Sequence, residues 1–220
     1  MRKRLDIMIT FRKAEKKDFE PCIRLLANSF WGYEYFEPFV KNQKRRYQFE
    51  HAIQEVNVKA YFNKTTMLVA EEGGDIVAVA QLKSPHDKDA CFWDYLKAGG
   101  LKVIAAGGLK NTFGWLNMFE QTGRVCHEFQ EPHWYLSSLA VSLKAKGRGI
   151  GTRMLRDCIR PYIQFHGGGL LMLITNSEKN RVFYQKNGFE EFSSEEFDIN
   201  GYKLGNWGYR MNISETVPSY

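Results

Sequence analysis

Four quoted segments decide the fold: Trp134-Tyr135-Leu136-Ser137-Ser138-Leu139-Ala140-Val141, Lys146-Gly147-Arg148-Gly149-Ile150-Gly151-Thr152, Leu170-Leu171-Met172-Leu173-Ile174, and Asn180-Arg181-Val182-Phe183-Tyr184-Gln185-Lys186-Asn187-Gly188-Phe189. The first and third are short apolar runs, read as buried strands. The second is a glycine-alternating loop. It leads into Met154, Leu155, Cys158, Ile159 and Tyr162, spaced as one face of a helix, which Pro161 is expected to kink or end. In the fourth, Asn180 and Tyr184 are four apart and share a helical face. Thr175 and Glu178 have capping-box spacing and mark that helix's start, and Gly188 fits its end. The order is strand, anion-binding loop, helix, strand, helix.

Outward from this stretch, Ile7 to Arg12 reads as a strand, and Asp18 as the N-cap of a helix with Pro21 in its first turn. Trp31, Tyr33, Tyr35, Phe36 and Phe39 form an aromatic segment with the character of an acceptor-pocket wall or of a packed connection. Lys41 to Phe62 is helical, and its cluster Lys41, Lys44, Arg45 and Arg46 reads as a solvated face. Thr65 to Ala70 and Asp75 to Lys83 flank a glycine-bearing turn and read as a hairpin. Residues 84–132 carry short helical patterns punctuated by Gly99-Gly100 and Gly107-Gly108, a helical insertion. Phe189 to Ile199 and Gly205 to Ile213 read as a final hairpin, with residues 214–220 as a tail. Residues 1–213 are therefore expected as one domain.

The 220 residues are 44% hydrophobic and 15% aromatic, enough for a core and too apolar for a disordered chain. The net charge of +6 is read as solubility, with neither nucleic acid nor membrane as partner. Cys22, Cys91, Cys126 and Cys158 are scattered, with no metal-ligand spacing, so no metal is expected and the thiols suit a reducing compartment. Met1 to Phe11 has a basic start, but Asp6 and the following Arg12 and Lys13 argue against an export signal. No run is long enough to span a bilayer. A soluble cytoplasmic protein is expected, as monomer or homodimer.

Glycines at 147, 149 and 151 let backbone amides face an anion at a helix start. A nucleoside-triphosphate loop needs a lysine before Thr152, where Gly151 stands. A dinucleotide loop needs a third glycine at Thr152 and an acid after the next strand, which ends Leu173-Ile174-Thr175-Asn176. The remaining ligand reading is the pyrophosphate of coenzyme A; a loop that merely turns tightly is the bland alternative.

The whole stretch resembles the GNAT superfamily of N-acetyltransferases. The family's loop reads Gln/Arg-x-x-Gly-x-Gly/Ala, and Lys146-Gly147-Arg148-Gly149-Ile150-Gly151 is similar with lysine first. The family's later motif has its likeness in Asn180, Tyr184, Lys186, Gly188 and Phe189. Glu131-Pro132-His133-Trp134-Tyr135-Leu136 is similar to a subgroup that includes puromycin acetyltransferase. The resemblance implies an α/β fold: a mixed, mostly antiparallel sheet with helices on both faces and the insertion at 84–132. It implies acetyl-CoA as cosubstrate. Leu139, Ala140 and Val141 would pair with its pantetheine arm, and Lys146, Gly147, Arg148, Gly149, Ile150, Gly151 and Thr152 would hold its pyrophosphate, with Asn180 and Tyr184 as further contacts.

Acetyl transfer needs a neutral amine, a polarised carbonyl and a proton for the departing thiolate. By resemblance Tyr184 supplies that proton. Glu131 and His133, at the entry to the strand, are the candidates for the base, beside Tyr135 or a water chain. Ile174 stands where puromycin-type relatives carry glutamate. The reaction expected is direct attack through a tetrahedral intermediate, with a small-molecule amine as acceptor. A protein N-terminal or lysine acetyltransferase, and a non-catalytic coenzyme A-binding module, are the alternatives.

Overall fold

The strands are β1 (Ile9–Lys13), β2 (Thr66–Glu72), β3 (Asp75–Lys83), β4 (His133–Val141), β5 (Gly169–Thr175), β6 (Glu190–Ile199) and β7 (Tyr202–Ile213). They form one sheet in the order β1-β2-β3-β4-β5-β7-β6. The computed structural model describes residues 8–33 and 35–215. Residue 7 of the expected first strand, the residues read against an export signal up to Ile7, and 216–220 of the expected tail lie outside the described residues. Every strand pair is antiparallel except β4 with β5, so the sheet is mixed and mostly antiparallel, as predicted.

Both hairpins close on two residues of positive φ, which match the twist of the flanking strands. Gly73 (61°) and Gly74 (89°) join β2 to β3, and Asn200 (55°) and Gly201 (82°) join β6 to β7. The second turn falls earlier than the sequence reading had it, so β7 starts at Tyr202 rather than Gly205.

Helices cover both faces. On one, α1 (Phe19–Phe30) packs Cys22, Ile23 and Leu26 against Met67, Val69 and Val79. Asp18 does stand at the N-cap of α1, but its carboxylate makes no cap bond to that helix. It instead accepts from Arg12 at 2.6 and 3.0 Å and from the Glu15 amide at 2.7 Å. These bonds hold its pKa below the usual carboxylate range, Arg12 contributing most. Next, α2 (Gln43–Tyr61) runs back along α1. Its N-cap Asn42 accepts from Arg45 N. The insertion forms α3 (Phe92–Lys97), α4 (Gly100–Gly107) and α5 (Leu109–His127), broken at the glycine pairs. Val103 and Met118 from it join Phe36, Phe39, Phe49 and Ile53 in a second core.

On the opposite face, α6 (Ile150–Arg153), a π-helical segment (Met154–Ile159) and α7 (Arg160–Phe165) form one continuous path. Pro161 does not end the helix. The widened turn ahead of it absorbs the missing N–H, and Leu155, Ile159 and Ile163 all stay in the core under Leu68, Ala80 and Leu136. The last helix, α8 (Glu178–Lys186), follows β5. Thr175 and Glu178 form no capping box there: Ser177 is the N-cap, and the Thr175 hydroxyl is engaged by Asn180 Nδ2 at 3.1 Å. Gly188 turns the chain out of the helix at φ 82°. Among the described residues no helix is long and apolar enough to cross a membrane, and all four cysteines are free, with only Cys91 exposed.

Candidate active site

The two middle strands part company. β4 pairs with β5 only through His133, Trp134 and Tyr135, opposite Leu170, Leu171 and Met172. Beyond Tyr135 the edge of β4 has no strand partner on that side among the described residues, while β5 continues along β7 to Thr175. The result is a wedge-shaped gap lined by unpaired backbone. A bulge in β4 helps to open it: Gln81 faces Ser138 and Leu82 faces Leu136, leaving Ser137 without a counterpart. Ser137 Oγ donates to the Gln81 carbonyl at 3.2 Å. Leu139, Ala140 and Val141 lie on the free limb of the wedge, where an extended chain with amide groups would find backbone partners.

The glycine loop closes the outer end. Lys146, Gly147, Arg148 and Gly149 are exposed, and Gly149, at φ 72°, is the N-cap of α6. That left-handed geometry favours glycine and leaves the helix amides facing outward. Ile150 is buried and anchors the loop, while Thr152 is exposed. A Cβ on Gly151 would come within 3.2 Å of the Phe183 ring and 3.6 Å of Val141 Cγ2, so this residue lets α6 sit close to α8 and the end of β4. The Arg148 side chain is turned away to β2, where its two Nη atoms meet Glu72 at 2.8 and 2.5 Å. The loop thus offers backbone amides and Lys146, with Arg148 held in reserve by an acid.

Tyr184, on α8, is buried in the core against β7 and the lead-in to β6. Its ring centroid lies 5.4 Å from that of Phe189 and 5.8 Å from that of Tyr209. Burial, and then the nearby Tyr33 phenol, hold its pKa well above the ordinary value, so the phenol keeps its proton at neutral pH. Tyr135, Tyr35 and Cys126 gather at the same fork: burial raises the pKa of Tyr135, and all three other groups, Tyr184 included, add to the shift. The Asn180 side chain turns to Thr175 rather than into the gap.

The predicted bases lie elsewhere. His133 is at the paired end of β4, with Nδ1 at 2.8 Å from the Glu131 carbonyl. Glu131 is exposed outside the sheet, in a surface depression shared with Leu170, Glu190 and Arg210. The structure therefore brings the end of β4, the glycine loop and α8 together at Val141, Gly151 and Phe183, with Tyr184 next along α8, and leaves Glu131 and His133 at the closed end. Tyr33 from the aromatic segment is at the wedge: its phenol is 3.3 Å from Thr175 Oγ1 and accepts from the Asn176 amide at 3.1 Å. Trp31, by contrast, faces solvent.

Residues 110–191 match the model of the acetyltransferase (GNAT) domain. That stretch has the signature of a GNAT domain. The match takes in α5, β4, the glycine loop, the π-containing helix, β5 and α8, the elements that build the wedge. No curated protein matches the sequence. Among solved structures, the GNAT fold recurs in a histone acetyltransferase HPA2 and related acetyltransferase from Corynebacterium glutamicum (20% identity, 96% of this chain and 99% of that one, TM-score 0.63). It recurs in polyamine N-acetyltransferase of Drosophila melanogaster (16% identity, 93% and 100%, TM-score 0.60). It also recurs in the ribosomal-protein-S18-alanine N-acetyltransferase of Escherichia coli (12% identity, 97% and 99%, TM-score 0.53). These likenesses span the whole GNAT fold, including the first three strands that lie ahead of the matched domain. Among the described residues no cluster of His, Cys, Asp and Glu is placed to hold a metal ion.

Proposed function

We propose that the protein is an acetyl-CoA-dependent N-acetyltransferase acting on a primary amine of a small molecule. The observation that carries this reading is the wedge between β4 and β5, with a glycine loop at its mouth and a buried, protonated tyrosine at its depth. The cosubstrate fits these residues: an amide-bearing arm along Leu139, Ala140 and Val141, and phosphates on Lys146 to Thr152. Asn180 shapes the adjoining wall through Thr175.

In this reading the amine nitrogen attacks the thioester carbonyl carbon directly. A backbone N–H of the free β4 limb polarises the carbonyl oxygen. The tetrahedral intermediate collapses as the carbon–sulfur bond breaks, and Tyr184 gives its proton to the sulfur. The nitrogen gains the acetyl group and gives up a proton, so protons balance once Tyr184 is recharged. His133, at the closed end beside Glu131, serves as a relay toward solvent rather than as a group touching the amine.

Tyr33 favours a small acceptor. By bonding to the tip of β5 from the segment after α1, it spans the wedge on one side, where a long peptide would need an open groove. The Drosophila neighbour, an enzyme that forms N-acetylagmatine, is consistent with a small amine; the Escherichia coli neighbour, named for a protein N-terminus, represents the rival. Calorimetry with acetyl-CoA tests the donor side: micromolar binding is expected, and no binding rejects it. Thiol release across a panel of amines tests turnover. Binding without turnover would mark a coenzyme A-binding module, and turnover on peptides alone would mark a protein acetyltransferase.

A further inference from the structure

Glu50 is fully buried, and neither of its carboxylate oxygens has a hydrogen-bond partner among the described residues. One turn along α2, the buried Gln54 Oε1 is also unpartnered. Residues four apart lie on one stripe of a helix. The same side of α2 faces α1: the Tyr47 hydroxyl donates to Asn28 Oδ1, and Val58 packs with Cys22 and Ile23. Because the two helices run antiparallel, Glu50 falls level with the end of α1. That end carries Ser29, bonded to the Val141 carbonyl on one limb of the wedge, and leads to Tyr33, bonded at the tip of the other. The stripe therefore lies behind the roof of the acceptor side.

With Glu50 ionised, all three orphaned atoms are acceptors. An unpaired buried carboxylate is expensive, and normally a cation neutralises it. The chain has 31 lysines and arginines against 25 acids, yet among the described residues none is bonded to Glu50. Arg46, one turn away, is committed to Glu37 at 2.9 Å and to the Val40 and Lys41 carbonyls. The next acid, Glu55, takes both Lys59 and Lys102. Burial raises the Glu50 pKa to about 8, only partly opposed by Arg46. What would complete this stripe is a group rich in N–H donors and positively charged.

We infer that Glu50, aided by Gln54, binds a second cationic group of the acceptor, so that the preferred substrate is an amine carrying a distal ammonium or guanidinium. This deepens the N-acetyltransferase reading and rests on it for the reaction. The acetylated nitrogen must become neutral, whereas the distal group stays charged and fixes the register of the substrate.

The test compares a straight-chain diamine with the monoamine of equal length, using the full chain. In the native protein, kcat/KM should favour the diamine. In E50Q, the diamine-to-monoamine ratio should fall at least tenfold, with the loss in KM. Equal losses for both amines, or no change in the ratio, would overturn the inference. Diamine-dependent thermal stabilisation without acetyl-CoA gives an independent readout: its presence in the native protein and absence in E50Q support the site, and its absence in both rejects it. That readout holds even if no amine is acetylated, an outcome that would sink the enzyme reading alone. Should E50Q fail to fold, Gln54→Met carries the test, and an unchanged diamine KM there overturns the proposal.

Discussion

The Tyr33 hydroxyl lies 3.3 Å from the hydroxyl of Thr175, and this contact fastens the segment after α1 to the tip of β5 across the open sheet. The two residues are 142 positions apart in the chain. Without such a tie, two limbs of a parted sheet are held only by the strands behind them. Tyr33→Phe removes the acceptor for the Asn176 amide as well. It should cost about 1 kcal/mol of stability, read from denaturant unfolding. The amine KM should rise more than the acetyl-CoA KM; a larger effect on acetyl-CoA would place Tyr33 on the donor side instead.

Tyr184→Phe keeps the packing against Phe189 and Tyr209 and removes only the phenolic hydroxyl. Turnover should fall about a hundredfold, the scale of a lost general acid. Acetyl-CoA affinity measured by calorimetry should change little. Unaltered turnover would assign Tyr184 to the core alone. Because the folded protein holds this phenol's pKa above its usual value, the native rate should show no loss from Tyr184 ionising below about pH 10.

Gly149→Val forces a β-branched residue into a left-handed conformation at the N-cap of α6. The strain is about 1–2 kcal/mol, and the loop should relax away from the geometry that presents its amides. Acetyl-CoA affinity should drop while the KM for the amine stays within about twofold. Equal affinity in the variant would show that phosphates are held without this turn.

Glu72→Gln releases Arg148 from its acidic partner. The freed guanidinium stands at the loop where phosphates are proposed. Acetyl-CoA binding should tighten by up to about fivefold at low salt, the scale of an exposed ion pair, and the gain should vanish at high salt. Weaker binding would mean that the pair itself shapes the loop.

Glu50 also leaves a mark on stability. Its pKa rises from 4.5 to about 8 on folding. Between those values the folded chain holds a proton that the unfolded chain has released, so stability falls as pH rises through this window. The loss is on the order of a few kcal/mol. Chemical unfolding at intervals from pH 5 to 8 should show this slope, and Glu50→Gln should flatten it. A slope identical in the variant would assign it to other groups.

The central strands, both hairpins and the helical insertion were legible because their periodicity and glycine punctuation act locally. The wedge was not. Trp134–Val141 and Leu170–Ile174 read alike as buried runs, and nothing local says that they separate after three residues of pairing. Glu50 was missed for a related reason. Phe49, Ile53 and Val56 mark one apolar stripe of α2, and nothing local says that α1 lies over the adjoining polar one. The capping box at Thr175 and Glu178 failed because Asn180, five residues on, and Tyr33, from a distant part of the chain, engage the threonine hydroxyl. Asp18 was claimed by Arg12 in the same way.

Ser137 makes one strand serve two masters. Before it, Trp134 and Leu136 belong to the core under the π-containing helix; after it, Ala140 belongs to the core under α1, and Leu139 and Val141 take the earlier side. The extra residue works as a frame shift in the up–down alternation of side chains. Drawing the bulge out into a regular ladder, with Ser137 paired, would send Ser138 and Ala140 toward the π-containing helix and Leu139 toward α1, inverting every position on the free limb at once; deleting Ser137 would leave those faces where they are. Substitutions along this limb are therefore tolerated or refused one face at a time, whereas absorbing the extra residue into the ladder changes the whole surface proposed to meet the donor.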